Sequence, residues 1–190
     1  MTKDEITTIL KKTKAMLTGH FKLTSGRHSD RYFQCAMVLQ HPDHTGVLCG
    51  ELARRFAGEN ISVVVGPATG GIIVSYEVAR ALNVRSIFSE REEGVMKLRR
   101  GFSITPGEKV LVVEDVITTG GSVLEVIDLI RKLGGEVVGT GVLVDRSSGK
   151  IDLGVRTEAL LTTAAISYAP EDCPLCRQGL PLEKPGSRNI

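Results

Sequence analysis

No stretch of this chain is apolar over the roughly 18–20 residues that a membrane-spanning helix needs. Charge of one sign is not in excess either: 24 Lys and Arg face 22 Asp and Glu, a formal net charge of +2. That balance excludes a general attraction to nucleic acid or to an anionic membrane and leaves only a local patch. The opening MTKDEITTIL is charged and polar and lacks the apolar centre of a signal peptide. Only four cysteines occur in 190 residues, too few for a disulfide scaffold of this length, so a reducing, cytoplasmic setting is expected. There is no internal repeat and no low-complexity tract. Two familiar nucleotide loops are missing: no GxxxxGK[ST] occurs, and no GxGxxG follows a strand.

What is present is average soluble composition, 42% apolar and 24% charged, at a length that suits one domain with a full core. Thr2-Lys3-Asp4-Glu5 fits a capping box opening a first helix, with Ile6, Ile9, Leu10 and Leu17 on its apolar face and Gly19 as its stop. From Phe21 to Cys35 the rough alternation around Ser25-Gly26 reads as two extended pieces and a turn. A second helix is expected over about 42–56, ended by Gly58.

From there the pattern becomes regular. Val63 to Val65, Val84 to Phe88, Val110 to Val113 and Val137 to Val144 read as buried strands. Helices are expected up to Leu82 and over about 121–133. Unbroken Val/Ile/Leu runs alternating with amphipathic helices predict an α/β fold: an open, twisted, mostly parallel sheet with helices on both faces. Ligands of such sheets sit beyond the carboxyl ends of the strands, so the loops after Val65, Phe88, Val113 and Val144 are the candidate site. Residues 89–106 carry dense charge of both signs between glycines, which fits either a solvated hairpin or a lid that brings cations over a polyanion. The tail from Ala169 is rich in proline and is expected to be irregular.

The densest chemistry lies in Val110-Leu-Val-Val-Glu-Asp-Val-Ile-Thr-Thr-Gly-Gly-Ser122. A buried strand ends in two carboxylates, Glu114 and Asp115, and a loop of small residues opens the next helix. Backbone amides of Thr118, Thr119, Gly120, Gly121 and Ser122, with three hydroxyls and the positive end of a helix, suit a phosphate monoester. The carboxylates repel phosphate and suit vicinal hydroxyls, or Mg²⁺ held between sugar and pyrophosphate oxygens. One loop thus addresses a phosphorylated sugar.

This segment resembles the phosphoribosyl pyrophosphate (PRPP) motif of the type I phosphoribosyltransferases. Leu23-Thr-Ser-Gly-Arg-His-Ser-Asp-Arg-Tyr-Phe33 resembles the N-terminal hood of the orotate phosphoribosyltransferase subfamily, and Val144-Asp-Arg146 resembles its strand-end Asp-Arg. The likeness spans about residues 21–150. It implies one phosphoribosyltransferase domain over 1–190, with a hood from about 1–40 and part of the C-terminal tail, and a core over about 42–150. It implies transfer of phosphoribose from PRPP to orotate in pyrimidine synthesis. PRPP would be held by Glu114, Asp115, residues 116–122, and Ala68, Thr69, Gly70 and Gly71. Orotate would meet Thr118, Arg146 and Phe33. Mg²⁺ is implied as a cofactor bound mainly through PRPP, without direct protein ligands, and a homodimer with a lid shared between subunits is implied as the assembly.

The chain departs from the best-known members at three places. Thr24 and Gly70 stand where they carry lysine, and their Lys-x-x-Lys-x-His lid pattern is absent. The available lid cations are Arg91, Lys97, Arg99 and Arg100; Arg91 and Lys97 are the candidates to meet pyrophosphate, with Lys97 ranked beside the acid pair as catalytic. Other readings kept in view are transfer to a purine or uracil, and a PRPP-sensing regulator without turnover. Cys35 and Cys49 are expected to be buried thiols. His20, His28, His41 and His44 show no metal spacing and are expected at the surface or in turns. Cys173-Pro-Leu-Cys176 has no second pair or His cluster to complete a zinc site, and two chains pooling four thiolates is the weaker reading. It is expected to be a pair of ordinary or redox-sensitive thiols.

Overall fold

A computed structural model describes residues 1–23, 25–164 and 166–185. Thr24, one of the departures from the family pattern, lies outside the described residues. The first helix, α1 (Lys3–Lys12), has the expected capping box, Glu5 N–H to Thr2 Oγ1 and Thr2 N–H to Glu5 Oε2.

That helix does not run on to Gly19. The Thr13 hydroxyl turns back onto the carbonyls of Ile9 and Leu10, and Lys14 takes a left-handed φ of 59°, which ends it. The following Met16–Lys22 is a strand, β1, so Leu17 is a strand residue and Gly19 is no helix stop. It pairs antiparallel with β2 (His28–Phe33), and the two form the small hood. Two helices follow, a short α2 (Ala36–Leu39) and α3 (Pro42–Arg55).

The core is a six-stranded sheet of β3 (Val63–Pro67), β4 (Arg85–Glu92), β5 (Val95–Leu98), β6 (Lys109–Ile117), β7 (Glu136–Asp145) and β8 (Thr157–Thr162). Its order is β5-β4-β3-β6-β7-β8. All neighbours run parallel except the edge pair β4–β5. The helices α4 (Gly70–Leu82) and α5 (Gly121–Lys132) cross over between parallel strands. Alternate residues divide the core into two layers. Val64, Leu111, Val113 and Leu143 face one layer with α3 and α4, and Val63, Val65, Val112 and Val142 face the other with α5.

Two strands were not legible as such. β5 is only four residues of mixed charge, and β8 extends the sheet past residue 150. The tail holds a short 3-10 turn and a four-residue helix, α6 (Pro174–Arg177). It runs along the hood: His28 and Tyr168 exchange backbone bonds in both directions, Lys22 N–H donates to the Glu183 carbonyl, and Glu183 N–H donates to the His20 carbonyl. No described helix is long and apolar enough to cross a membrane.

The strand order reverses between β3 and β6: the chain leaves β3 towards β4 on one side, and β6 continues to β7 and β8 on the other. At such a switch point the loops leaving neighbouring strands part and open a crevice. The two loops there are residues 66–71 and 114–122.

Candidate functional site

The acid pair sits inside β6 rather than after it, because pairing with β7 continues to Ile117 opposite Asp145. Each carboxylate is anchored by the backbone ahead of it: Asp115 N–H donates to Glu114 Oε1 at 3.1 Å, and Val116 N–H donates to Asp115 Oδ1 at 2.7 Å. No lysine or arginine pairs with either carboxylate among the described residues. Burial raises both carboxyls above the usual carboxylate range, and for Glu114 the neighbouring Asp115 charge raises it further.

Across the switch point, residues 66–71 press on this pair. A Cβ at Gly70 would collide with the Asp115 carboxylate, and one at Gly66 with the Gly71 carbonyl. A Cβ at Gly71 would lie 3.2 Å from Glu114 Oε1 and 2.9 Å from Pro67 Cδ. A side chain at 70 would thus require the Asp115 carboxylate to shift, whereas at Gly66 the Gly71 backbone itself leaves no room. The Ala68–Thr69 peptide is cis, and Ala68 N–H donates to the Ser89 carbonyl at 2.8 Å, tying this loop to β4.

The β6–α5 connection turns at Gly120, whose left-handed φ of 75° and contact with Ile151 and Leu153 leave no place for a side chain. No side chain caps the start of α5, while Thr118, Thr119, Gly121 and Ser122 are exposed. Together with Glu114, Val116, Ile117, Gly120 and Val123 they line a cleft of about 70 Å³. An uncapped helix start ringed by hydroxyls, beside two carboxylates, is chemically split: one end accepts an anion, the other a cation or hydroxyls.

Arg146 follows β7, held by its N–H to the Ile117 carbonyl at 2.9 Å. Its guanidinium lies 5.8 Å from the centre of the Phe33 ring, so the hood and the strand end meet there. Arg146 forms no ion pair with its neighbour Asp145. Asp145 instead accepts from the backbone of Ser147 and Gly149, and no carboxylate pairs with Arg146 among the described residues. Cys35 and Cys49 are buried as expected, and the Cys35 thiol points at the Asp115 carbonyl, 3.8 Å away.

The charged segment forms a hairpin, β4–β5, turning at Glu93 and Gly94 with left-handed φ values of 51° and 81°. Its cations are spent on carboxylates. Lys97 pairs with Glu92 and Arg91 with Glu125 of α5, each at 2.7 Å, and Arg99 and Arg100 both reach Glu90. The structure thus brings together Glu114, Asp115, residues 68–71 and 116–122, and separately Arg146 with Phe33; it does not bring Lys97 or Arg91 onto the acid pair.

Two histidines need correction. His20 and His28 are 4% and 5% exposed, not surface or turn residues. His20 is buried beside Phe21 where β1 shifts register between Thr18 and Phe21, His28 is buried at the start of β2, and the tail lays Cys173 and Cys176 beside them. A His cluster does complete the CxxC. No local spacing marks it, because the halves are far apart in the chain.

A family model described as "Phosphoribosyl transferase domain" matches residues 38–153. A protein named orotate phosphoribosyltransferase from Pelotomaculum thermopropionicum is 74% identical over 190 residues, all of both chains. One of the same name from Desulforamulus reducens is 68% identical, again over all of both. Among solved structures, orotate phosphoribosyltransferase from Aeropyrum pernix superposes with a TM-score of 0.70 at 29% identity, covering 83% of this chain and 93% of that one.

Proposed function

Since the chain belongs to the orotate phosphoribosyltransferases, we propose that its switch-point crevice holds PRPP and that the Arg146–Phe33 corner holds orotate. The reaction moves the 5-phosphoribosyl group from PRPP to orotate, giving orotidine 5′-monophosphate and pyrophosphate, a step of pyrimidine synthesis. The observation that carries this assignment of the site is the acid pair, without a cation partner among the described residues, pressed against the glycine loop beside an uncapped helix start.

The roles follow from charge. Backbone amides and hydroxyls of residues 118–122 bind the 5′-phosphate at the start of α5. Glu114 and Asp115 accept hydrogen bonds from the ribose hydroxyls, and the glycine-bearing loop 68–71 turns its amides to pyrophosphate. As the bond to pyrophosphate lengthens, positive charge grows on the ribose ring, and the carboxylates stabilise it through preorganised electrostatics. Orotate arrives as an anion, so little base catalysis is needed; Arg146 and Thr118 orient it, with the Phe33 ring against the guanidinium. The all-oxygen donor set of Glu114 and Asp115 fits Mg²⁺ bound mainly through PRPP. Mg²⁺ would neutralise charge on the leaving pyrophosphate.

Arg91 and Lys97 would have to exchange their glutamate partners for pyrophosphate when the hairpin closes. Exposed ion pairs of this kind are worth only about 0–1 kcal/mol, so the exchange is cheap. The working unit is the whole chain, 1–190, as one domain. We assign it to a cytoplasmic homodimer on the family likeness, and sedimentation at working concentration tests the assembly.

Pyrophosphate release from PRPP and Mg²⁺ with orotate, uracil and adenine in parallel tests the assignment. Release with orotate alone, lost in Arg146→Ala, is expected. Release with adenine or uracil instead would reject orotate, and PRPP binding without release would make the protein a sensor.

A further inference from the structure

The hood and the tail meet at four side chains that the transfer reaction does not use. His20 of β1, His28 of β2, and Cys173 and Cys176 of the tail bring one ligand atom each to a single point, all within 4.8 Å of one another. The spacings are selective. His20 Nε2 lies 3.0 Å from His28 Nδ1, 3.5 Å from Cys173 Sγ and 3.7 Å from Cys176 Sγ, and Cys176 Sγ lies 3.3 Å from His28 Nδ1. A tetrahedral zinc with bonds of about 2.3 Å to sulfur and about 2.0–2.1 Å to nitrogen demands N···S edges of about 3.5 Å and an N···N edge of about 3.3 Å. Those four edges match to within a few tenths of an ångström, and the two others, from Cys173 Sγ to His28 Nδ1 and to Cys176 Sγ, are within 4.8 Å.

Its surroundings fit a ligand set as well. His20 Nδ1 lies 2.9 Å from the Leu180 carbonyl, and donation to that acceptor puts the proton on Nδ1 and leaves the Nε2 lone pair facing the cluster. His20, His28 and Cys173 are buried, and Cys176 is exposed, which gives an ion a way in. An ordinary pair of buried histidine nitrogens 3.0 Å apart requires a shared proton; an ion replaces that requirement with two bonds.

The geometry points to a structural zinc site of Cys₂His₂ type, closed by four protein ligands, that staples the C-terminal tail to the hood. Binding takes Zn²⁺ from solution and releases the two thiol protons, with both histidines neutral, so the site keeps no net charge. With four protein ligands it has no open position for a substrate and is distinct from the Mg²⁺ chemistry at Glu114 and Asp115. What it stabilises is the hood, including the strand that carries Phe33, against a tail that otherwise holds it by few backbone bonds.

The test uses the untagged full-length chain. Elemental mass spectrometry of protein from zinc-supplemented growth should give about one zinc per chain, falling to background in the Cys173→Ser/Cys176→Ser variant. Because that variant could fail to fold, stripped wild-type protein is reloaded with Co²⁺. Intense visible bands of tetrahedral cobalt with a thiolate-to-cobalt charge-transfer band, both abolished by added Zn²⁺, are expected. Thermal stability should fall on stripping and return with Zn²⁺. The proposal is overturned by wild-type protein that carries no stoichiometric zinc and gives no tetrahedral cobalt spectrum. Zinc retained in full by the double serine variant, or a Cys173–Cys176 disulfide in protein kept under reducing conditions, would also overturn it.

Discussion

The crevice at the end of β6 and the β4–β5 hairpin hold opposite charges and treat them in opposite ways. In the crevice, Glu114 and Asp115 have only backbone donors, and no cation pairs with them among the described residues. In the hairpin, every cation considered for catalysis is matched: Lys97 to Glu92, Arg91 to Glu125, Arg99 and Arg100 to Glu90. The difference teaches how the work is divided. On the proposed assignment, the crevice is preorganised for a positive charge that arrives only with the substrate, and its cost is carried in the free protein as raised carboxyl pKa values. The hairpin stores its charge neutralised and at the surface, where release costs little.

The largest effect should come from the crevice. Asp115→Asn keeps the shape and removes the charge, and losing one preorganised electrostatic group typically costs about 10²–10³ in kcat. Steady-state pyrophosphate release measures it; a variant within a few-fold of wild type would break the contrast, since the charge would then do no work there.

Arg146→Ala should come next. A charged hydrogen bond contributes about 1.5–3 kcal/mol, so KM for orotate should rise by about 10- to 100-fold with KM for PRPP little changed. Arg146→Lys should recover only part, because lysine lacks the planar fork. A rise confined to the PRPP KM would place Arg146 in the other half of the site.

For the hairpin, Lys97→Ala should leave Tm within about 1 °C, since the pair with Glu92 is exposed, while turnover falls roughly tenfold. Unchanged turnover would reduce this segment to a solvated hairpin and leave Arg91, Arg99 or Arg100 to supply the cation.

Much of this division was legible in the chain and some was not. The Val/Ile strands, the acid pair and the Thr-Thr-Gly-Gly-Ser loop are local signals, and local signals survive folding: β3, α4, β6, α5 and β7 fall where periodicity puts them. The stretch from Phe21 to Cys35 holds the second hood strand, β2, as read, while the first, β1, lies mostly ahead of it at Met16–Lys22. Failures came where tertiary contacts decide. Leu17 fits the helical period of α1, yet the Lys14 turn redirects the chain into β1. β8 is a strand because β7 offers it an edge, not because its own pattern is strong. Gly70 looked like a missing lysine, and only the folded chain shows that a side chain there would press on the Asp115 carboxylate. The histidines near Cys173 and Cys176 had no legible partner, because metal-like spacing was sought along the chain while the hood and the tail meet across it.

The most direct test of the contrast is the stability of the free protein as pH changes, wild type against Glu114→Gln. Burial first, then the Asp115 charge, raises the Glu114 carboxyl in the folded state. A raised acid is neutral in both states below its unfolded pKa of about 4.3, and folding stability is fully present there. That stability is lost as pH rises towards and through the raised folded value, because the unfolded chain ionises first. In the absence of PRPP and Mg²⁺, Tm of the wild type should therefore fall between about pH 5 and pH 8 more steeply than that of Glu114→Gln. The variant should be the more stable protein at pH 8 by about 1 kcal/mol, or about 2–4 °C, although it is the poorer enzyme. Parallel Tm curves, or a variant less stable at pH 8, would mean that the crevice holds its charges at ease, and the account of a site preorganised against its own stability would be wrong.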